Sequence, residues 1–392
     1  MKYTKLEYVL KHNVVLQKLY CFFGSLFFRF LGLFIKNHSN YILFQSMIGR
    51  SFGDSPRMIY DKIITDPFFK DYQFFWAFLE PDKFEIPIGK KIKLNSISYF
   101  ITALKCRVWV GNSGIERGLH FKPKQCFFIN TGHGSAFKKV GNAVKGRKDF
   151  DFSDVDLLCT TSEFDKNVRI RDTKARPEAF AMVGYPVNDF LYHLTTQQVD
   201  ELKLKYNIPK DKIVICYAPT WRDEKNDFCH VHFDLWRQKL SKKYVVLFRA
   251  HHLDIVDKDF SFDDFLINAS SQFPSNEILA ISDILITDYS SIVYEFSILK
   301  KPIFLYTYDL DDYLKTRGLY ISPFDLFPNT TFLEEQSLLD AIYNIDYERE
   351  CAQTKLVKEK YMFGTGEATD YCINAIKQSI LKSKTKTVKK NN

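Results

Sequence analysis

A histidine between two glycines is the arrangement in this 392-residue sequence that is best suited to chemistry. His133 lies between Gly132 and Gly134, directly after the apolar run 126–129, in the segment INTGHGSAFKKVG. Glycines beside a histidine on a loop allow a ligand to approach the backbone closely. The imidazole titrates near neutral pH, and Lys138 follows five residues later. The segment therefore predicts proton transfer beside an anionic group.

A pair of serines after a second apolar run predicts a phosphate site. Ser290 and Ser291 follow the run DILITD (283–288) and precede an amphipathic segment. A helix that starts at this point exposes N–H groups and hydroxyls, and such groups bind phosphate. Capping of the helix by the serines alone is the alternative interpretation. Glu295, about one helical turn further, could face a ribose hydroxyl or solvent.

Other polar side chains are expected in the same cleft, because ligands of open α/β sheets bind beyond the carboxyl ends of the strands. Those that follow apolar runs, together with a cation at a tight turn, are Thr220, Trp221, Arg222, Arg249, His251, Asp288 and Arg317. Three acids at 309, 311 and 312 could form a metal site. No further ligand spacing supports a metal there, and a solvated acidic turn is the alternative. We expect no metal and no cofactor.

The apolar runs that position these residues predict two parallel sheets. They are 41–47, 72–78, 106–111, 126–130, 155–161 and 179–184, and then 212–218, 243–249, 283–288 and 302–308. Continuous apolar strands separated by helix-length segments are typical of parallel sheets that are covered on both faces. Two such series, in a chain too long for one core, predict two doubly wound domains. We place these domains at residues 39–195 and 205–375.

The two ends of the chain are basic. Residues 14–35 are rich in Phe and Leu, but Lys18 and Arg29 interrupt them, which argues against a membrane-spanning helix. Residues 1–38 fit an amphipathic helix in the bilayer interface, and they also fit an ordinary helix packed on the domain. Residues 376–392 form a basic tail that could bind an anionic leaflet. We therefore expect a peripheral protein on the cytoplasmic face of the bacterial plasma membrane.

The composition favours a folded protein with an anionic partner. The chain has 46% hydrophobic residues and a net charge of +8, which favours a nucleotide, a phosphate polymer, a nucleic acid or a membrane surface as partner. A nucleic-acid binder should carry its charge as a stripe over the folded part, whereas much of the charge here lies at the ends. Nucleic acid is therefore not an expected partner. Eight scattered cysteines without a CxxC spacing indicate reduced thiols.

Six segments, taken in order, resemble the CDP-glycerol glycerophosphotransferase family of teichoic acid and capsule synthesis. They are HGSAFKK (133–139), GYPVND (184–189), YAPTWRD (217–223), FRAHH (248–252), ITDYSSIVYEFSILKKPIFLYTYDLDDY (286–313) and RGLY (317–320). Each segment is weak alone, but their order and the long block at 286–313 are specific. The matching segments extend over nearly the whole chain except its ends.

The resemblance implies a GT-B architecture, in which two Rossmann-like domains face each other across a cleft and the C-terminal one holds the nucleotide. It implies that His133 is the catalytic base and that His251 also takes part in catalysis. It places Ser290, Ser291 and Arg317 around the donor phosphates, and Lys138 is a further candidate for that role. In one place the chain departs from the family. Val187 stands where the family usually has arginine, so the cleft loses one cation.

The implied activity is the transfer of a polyol phosphate from a CDP-activated donor to a hydroxyl of a cell-surface polymer or its lipid-linked precursor. CMP would leave, and glycerol and ribitol both remain possible as the polyol. A GT-B glycosyltransferase that uses a nucleotide sugar is one alternative, and release of CMP rather than UDP or UMP would distinguish the two. A non-catalytic peripheral membrane scaffold is another alternative, which detectable turnover would exclude.

Overall fold

The computed structural model describes residues 13–147, 150–220, 222, 230–249, 261–270 and 274–388. The strands are β1 (His38–Gln45), β2 (Gln73–Phe78), β3 (Lys90–Lys93), β4 (Cys106–Gly111), β5 (Phe127–Asn130), β6 (Leu157–Cys159), β7 (Phe180–Ala181), β8 (Ile213–Tyr217), β9 (Tyr244–Phe248), β10 (Leu266–Asn268), β11 (Ile284–Thr287), β12 (Ile303–Tyr306) and β13 (Thr331–Phe332).

The α-helices are α1 (Val14–Phe34), α2 (Asp54–Ile63), α3 (Ile97–Lys105), α4 (Glu163–Thr173), α5 (Asp189–Tyr192), α6 (Thr196–Lys205), α7 (Phe233–Leu240), α8 (Ser275–Ile281), α9 (Ile292–Ser297), α10 (Leu310–Thr316), α11 (Pro323–Leu326), α12 (Glu335–Tyr343), α13 (Tyr347–Tyr361) and α14 (Ala368–Val388).

The strands form two parallel sheets, one in each half of the chain. The first has the order β3-β2-β1-β4-β5-β6-β7, and the second has the order β10-β9-β8-β11-β12-β13. The order reverses between β1 and β4 in one sheet and between β8 and β11 in the other, and ligands of such sheets bind beside these reversal points. The expected fold class, two Rossmann-like domains of GT-B type with an N-terminal helix, is confirmed.

Each sheet separates two apolar cores, because successive side chains of a strand point to opposite faces. On β1, Ile42 and Phe44 pack into one core and Leu43 packs into the other. On β8, Val214 lies in one core and Ile215 in the other. Burial on both faces explains why the central strands are continuous apolar runs in the sequence.

Three strands were not predicted, and all three lie at sheet edges. They are β3, β10 and β13, which have two to four residues each. An edge strand has one neighbour and needs less apolar surface, so its sequence is short and mixed, as in KKIK of β3. Periodicity over such short segments does not distinguish a strand from a loop.

The C-terminal helix α14 returns to the N-terminal sheet. Its residues Cys372, Ile376 and Ile380 are buried in the same core as Ile42. Arg107 of β4 also donates a hydrogen bond of 2.8 Å to the backbone oxygen of Ser379. Residues 376–388, which the sequence assigns to the basic tail, continue this helix. This face of the N-terminal sheet is therefore covered by α2 and by the last helix of the chain.

Replacing Ile376 by alanine should destabilise the protein by about 2–4 kcal/mol, because a fully buried side chain would leave a cavity between α14 and the sheet. Leu381→Ala is the matched control on the same helix, since Leu381 is about half exposed, and it should cost about 0.5 kcal/mol. Urea unfolding followed by circular dichroism measures both effects. Equal costs for the two variants would contradict the packing of α14 against the sheet.

Candidate functional site

The loop that carries His133 begins where β5 ends, and its backbone requires glycine. Gly132 has φ +66°, and a Cβ at this position would lie 2.9 Å from the ring of Tyr185. The backbone N–H of Gly132 also donates to the Asn130 side chain over 2.9 Å. A larger residue would be strained in this conformation and would also collide with the tyrosine. The turn at Gly132 sets the direction in which the chain enters His133.

The imidazole of His133 is held in one tautomer. Its Nδ1 lies 2.8 Å from the backbone oxygen of Asn112, which follows β4. A carbonyl oxygen accepts hydrogen bonds and cannot donate them, so Nδ1 carries the proton and Nε2 carries the lone pair. The ring is exposed to solvent. Nε2 is therefore the atom that can take a proton from a substrate.

A buried ion pair on α4 supports the loop from behind. Arg169 donates 2.6 Å to the backbone oxygen of Gly134, and its Nε lies 3.4 Å from Oδ1 of Asp165. Asp165 also accepts a hydrogen bond of 2.8 Å from the backbone N–H of Ala136. Both charged side chains are almost fully buried, so the loss of either would leave an uncompensated charge. The pair thus fixes the backbone on both sides of Ser135.

The pKa of His133 is lowered from its ordinary value. Desolvation of the imidazolium by the surrounding protein is the largest cause, and the positive charge of Arg169 is the second. Both disfavour the imidazolium. His133 is therefore neutral at pH 7, which is the protonation state that a base requires.

The histidine loop and the serine pair meet across the cleft between the two domains. A Cβ built on Gly134, which has φ +135°, would lie 2.5 Å from Oγ of Ser291 and 4.0 Å from Oε1 of Glu295. Gly134 and Ser291 are 157 residues apart in the chain, yet the two segments are in contact. The absence of a side chain at Gly134 permits this contact.

The two serines do not act as ordinary helix caps. Ser291 occupies the N-cap position of α9, but its side chain makes no capping hydrogen bond. Oγ of Ser290 accepts one long hydrogen bond, 3.4 Å, from the backbone N–H of Ile292. The capping alternative therefore does not account for Ser291, whose hydroxyl faces the histidine loop.

Glu295 lies on the same short helix, and its carboxyl group is neutral at pH 7. Burial is the largest cause that raises its pKa to about 8; the nearby carboxylate of Asp54 raises it further, and Arg249 lowers it. A neutral carboxyl group in the cleft can donate a hydrogen bond and does not repel an anionic ligand. If Glu295 were ionised, its negative charge would repel a bound phosphate.

A backbone pairing joins the two domains next to the site. Residues 138 and 319 form an antiparallel bridge. The N–H of Lys139 donates to the oxygen of Gly318 over 3.0 Å, and that of Tyr320 donates to Phe137 over 2.9 Å. Lys138 and Arg317 therefore lie at one junction, although they come from different domains. The sequence places both near phosphate, and the structure places them together.

Arg222 and Asp288, which the sequence places in the cleft, belong to a buried ion cluster. Arg222 lies 3.0 Å from Asp288 and 2.7 Å from Asp309. Asp288 also accepts two hydrogen bonds from the N–H of Thr220, at 3.0 and 3.1 Å. Tyr289 donates 3.0 Å to Asp309. These groups hold the loops after β8 and β11 in place, and Asp309 is engaged in this cluster rather than in a three-acid turn.

Two predicted site residues, His251 and Trp221, lie outside the described residues. Arg249, at the end of β9, donates 2.7 Å to the side chain of Ser275 and is close enough to Glu295 to lower its pKa. Arg249 therefore lies on the C-terminal side of the same cleft.

Sequence reasoning missed Asn112, Asp165 and Arg169. Asn112 acts through its backbone oxygen, and the other two act through contacts with a distant loop. Every residue has a backbone oxygen that can accept a hydrogen bond. No pattern of residue types could therefore have identified Asn112. An acid and a base four residues apart at 165 and 169 are a weak signal, because such pairs are common on exposed helix surfaces.

In the described part of the chain, one group of side chains is close enough to hold a metal ion, namely Glu116, His120 and Asp154. Glu116 already accepts hydrogen bonds from the backbone N–H groups of Phe121 and Lys122, at 2.6 and 2.7 Å. The N–H of His120 donates to Ser25 of α1. The group thus lies beside α1, and it contains none of the residues of the cleft.

Two Rossmann-like domains, with the loop of His133 in contact with Ser291 across the cleft, define the GT-B fold class. Residues 26–377 match the family described as CDP-glycerol:poly(glycerophosphate) glycerophosphotransferase, and the chain belongs to this family. It is 31% identical, over 80% of its length, to a teichoic acid poly(glycerol phosphate) polymerase of Staphylococcus epidermidis, of which it spans 47%. It is 30% identical to a teichoic acid glycerol-phosphate transferase of Staphylococcus aureus, and the match covers 79% of this chain and 85% of that one.

Solved structures of the wall teichoic acid polymerase TagF share the fold. One of them matches with a TM-score of 0.80 at 28% identity, over 88% of this chain and 90% of that one. A UDP-GlcNAc 2-epimerase from Neisseria meningitidis matches with a TM-score of 0.53 at 13% identity, over 86% of this chain and all of that one. The second likeness shows the common two-domain fold and nothing further.

Gly134→Ala should lower activity by about 100-fold or more, because its Cβ would clash with Ser291 and displace the loop that carries His133; misplacement by about 1 Å is enough for such a loss. Gly146→Ala is the matched control. Gly146 also has positive φ, +82°, but a Cβ there meets nothing within 4 Å.

Steady-state rates of donor cleavage, with circular dichroism as a check of folding, measure the effect. Similar rates for the two alanine variants would mean that the close approach of Gly134 to Ser291 is not needed.

Proposed function

We propose that this protein transfers a polyol phosphate from a CDP-activated polyol to a hydroxyl of a cell-surface polymer or its lipid-linked precursor. CMP is the second product. The observation that carries the proposal is the contact of Gly134 with Ser291, which brings a base and phosphate-binding groups into one cleft. The family of the chain supports this reaction class over a sugar transferase.

His133 serves as the general base in this proposal. The acceptor hydroxyl loses its proton to Nε2, and its oxygen forms a bond to the β-phosphorus of the donor. The bond from this phosphorus to the bridging oxygen breaks, and CMP leaves with the electron pair. A neutral hydroxyl is a poor nucleophile, so a neutral imidazole at hydrogen-bonding distance lowers the barrier. The hydrogen bond to Asn112 keeps the correct nitrogen available.

The phosphates are held by groups from both domains. The proposal assigns the hydroxyls of Ser290 and Ser291 and the cations of Lys138 and Arg317 to the non-bridging oxygens. His251 also takes part in catalysis in this proposal. Little covalent chemistry falls to the protein in phosphoryl transfer, so the main contributions are positioning and charge neutralisation. A neutral Glu295 fits beside a diphosphate, since it adds no negative charge.

Glycerol is the polyol that the family description favours. The sequence leaves ribitol open, and Val187 in place of arginine could alter donor or acceptor preference. In the structure Val187 packs at the margin of the N-terminal core, and its N–H donates 3.1 Å to the side chain of Ser55. An uncharged residue here changes the charge of the cleft and leaves the backbone contact intact.

The donor can be identified by supplying CDP-glycerol or CDP-ribitol separately, with a lipid-linked oligosaccharide as acceptor, and measuring the CMP that is released.

His133→Asn should lower the rate of CMP release by about 1,000-fold or more, because the base is lost. His232→Asn is the control, since His232 lies on the surface and pairs with Glu335. Activity with a UDP-hexose but with neither CDP-polyol would support the sugar-transferase alternative.

Helix α1 supports a peripheral membrane location. One face packs on the N-terminal domain, where the ring of Phe28 stacks on that of Phe100 with centroids 4.4 Å apart. The opposite face exposes large apolar side chains: Leu16, Leu19, Phe23, Phe27, Phe30 and Phe34. Among the described helices, none combines the length and hydropathy that crossing a bilayer requires. We propose that this exposed face lies in the interface of an anionic membrane, where such a helix is stable.

The variant Phe23→Glu/Phe30→Glu should lose binding to vesicles of phosphatidylglycerol and phosphatidylcholine in a flotation assay, since it places two charges in the apolar boundary. Leu204→Glu is the control, because Leu204 on α6 is 70% exposed and far from α1 in the chain. Wild-type protein should bind less to vesicles of phosphatidylcholine alone. Equal binding of the three proteins to the anionic vesicles would contradict the assignment of α1 to the membrane.

A further inference from the structure

The outer edge of the N-terminal sheet carries a basic groove that has no part in the proposed transfer reaction. It lies between the edge strand β3 and helix α3, which follows β3 in the chain. Its volume is about 300 Å³, at the lower end of the range of small-ligand sites. The residues that line it include Phe75, Lys90, Lys91, Lys93, Ser98 and Thr102. This lining of described residues has cations and hydroxyls but no acidic side chain, so the groove suits an anion.

Two of the three lysines are available to such an anion. Lys91 is engaged, since its Nζ donates 2.8 Å to the backbone oxygen of Phe84 and pairs with Glu85 over 3.3 Å. Lys90 and Lys93 are exposed, and neither pairs with an acid within the part of the chain that the structure describes. They begin and end β3, so a cation stands at each end of the groove. A lysine ammonium is a compact charge that binds phosphate.

The groove and α1 lie on the same face of the sheet. Phe75 lines the groove and also belongs to the core of that face, and Phe28 of α1 packs against the same core. Helix α3 lies between the two. Its Phe100 stacks on Phe28, whereas Ser98 and Thr102, four residues apart and thus on one side of α3, line the groove. A single helix therefore separates the groove from the helix that exposes an apolar face.

We infer that this groove binds the phosphate of an anionic lipid headgroup while α1 lies in the membrane interface. The inference rests on the membrane location proposed for α1, and it assigns the preference for anionic lipid to particular residues. The apolar side chains of α1 supply an attraction that does not depend on lipid charge. Lys90 and Lys93 supply one that does, and the hydroxyl of Thr102 donates to the phosphate.

The position of the groove favours a lipid over the polymer that accepts the polyol phosphate. The sheet order β3-β2-β1-β4 puts three strand spacings between β3 and β4, or about 14 Å. The histidine loop of the cleft follows β5, one strand further on. A phosphate in the groove is thus well separated from the site of transfer and close to α1.

Lys90→Gln/Lys93→Gln should lower the affinity for vesicles of phosphatidylglycerol and phosphatidylcholine by about 30-fold, because each lysine near an anionic surface contributes about a factor of five. Its binding to vesicles of phosphatidylcholine alone should equal that of the wild type. Lys242→Gln/Lys243→Gln is the matched control, since it removes the same charge from two exposed neighbours in the C-terminal domain. Flotation over a series of lipid concentrations measures the affinities.

Thr102→Val separates a site in the groove from a general attraction of positive charge. The change keeps the shape of the side chain and every charge, and it removes one hydrogen bond to the phosphate. Affinity for the anionic vesicles should fall by about fivefold. Unchanged affinity of this variant would mean that the groove is not the binding site, and it would overturn the inference.

Equal affinity of Lys90→Gln/Lys93→Gln and wild type for the anionic vesicles would also overturn the inference, and would leave these lysines the role of protecting a sheet edge from pairing. If Phe23→Glu/Phe30→Glu still lost binding, the membrane location of α1 would stand. No binding of the wild type to either vesicle would overturn both proposals. CMP release in detergent solution should be unchanged in Lys90→Gln/Lys93→Gln; its loss, with vesicle binding intact, would assign the groove to the polymer instead.

Discussion

The site depends on the backbone pairing of residues 137–139 with residues 318–320, because this pairing fixes one domain against the other beside the cleft. His133 belongs to the first domain, and Ser291 and Glu295 belong to the second. A base and a phosphate site can act together only at a separation set to within about 0.5 Å. Backbone hydrogen bonds between the two loops fix that separation more rigidly than contacts between surface side chains would.

Two buried charge clusters complete this arrangement, one in each domain. Asp165 and Arg169 hold the loop of His133, and Arg222 holds Asp288 and Asp309 behind the serine pair. Replacing such clusters by apolar residues is often neutral for stability. We interpret their presence here as a means to fix loops whose backbones must approach a ligand. Glycine at 132 and 134 allows that approach, and the ion clusters limit the freedom that glycine would otherwise give.

The sequence predicted the central strands and the two loops of the cleft, and it missed features that depend on tertiary contacts. Strands such as β1 and β11 are buried on both faces, so they are visible as apolar runs. The edge strand β3 is not, because it has one neighbour and a mixed sequence. His133 and Ser291 were identified because glycine and serine at the end of a strand have a local chemical meaning. Asn112 and Arg169 act through contacts with segments that are distant in the chain, and the local sequence pattern does not predict such contacts.

The return of α14 to the N-terminal sheet affects the order in which the protein can be assembled on the ribosome. Strand β7 completes the first sheet at Ala181, but the helix that covers one of its faces begins at Ala368. At about 5–20 residues per second, translation of the intervening segment takes roughly 10–40 seconds. During that time the face that carries Ile42 has the cover of α2 but lacks that of α14. A nascent chain of this kind is a candidate client for chaperones that bind exposed apolar surface.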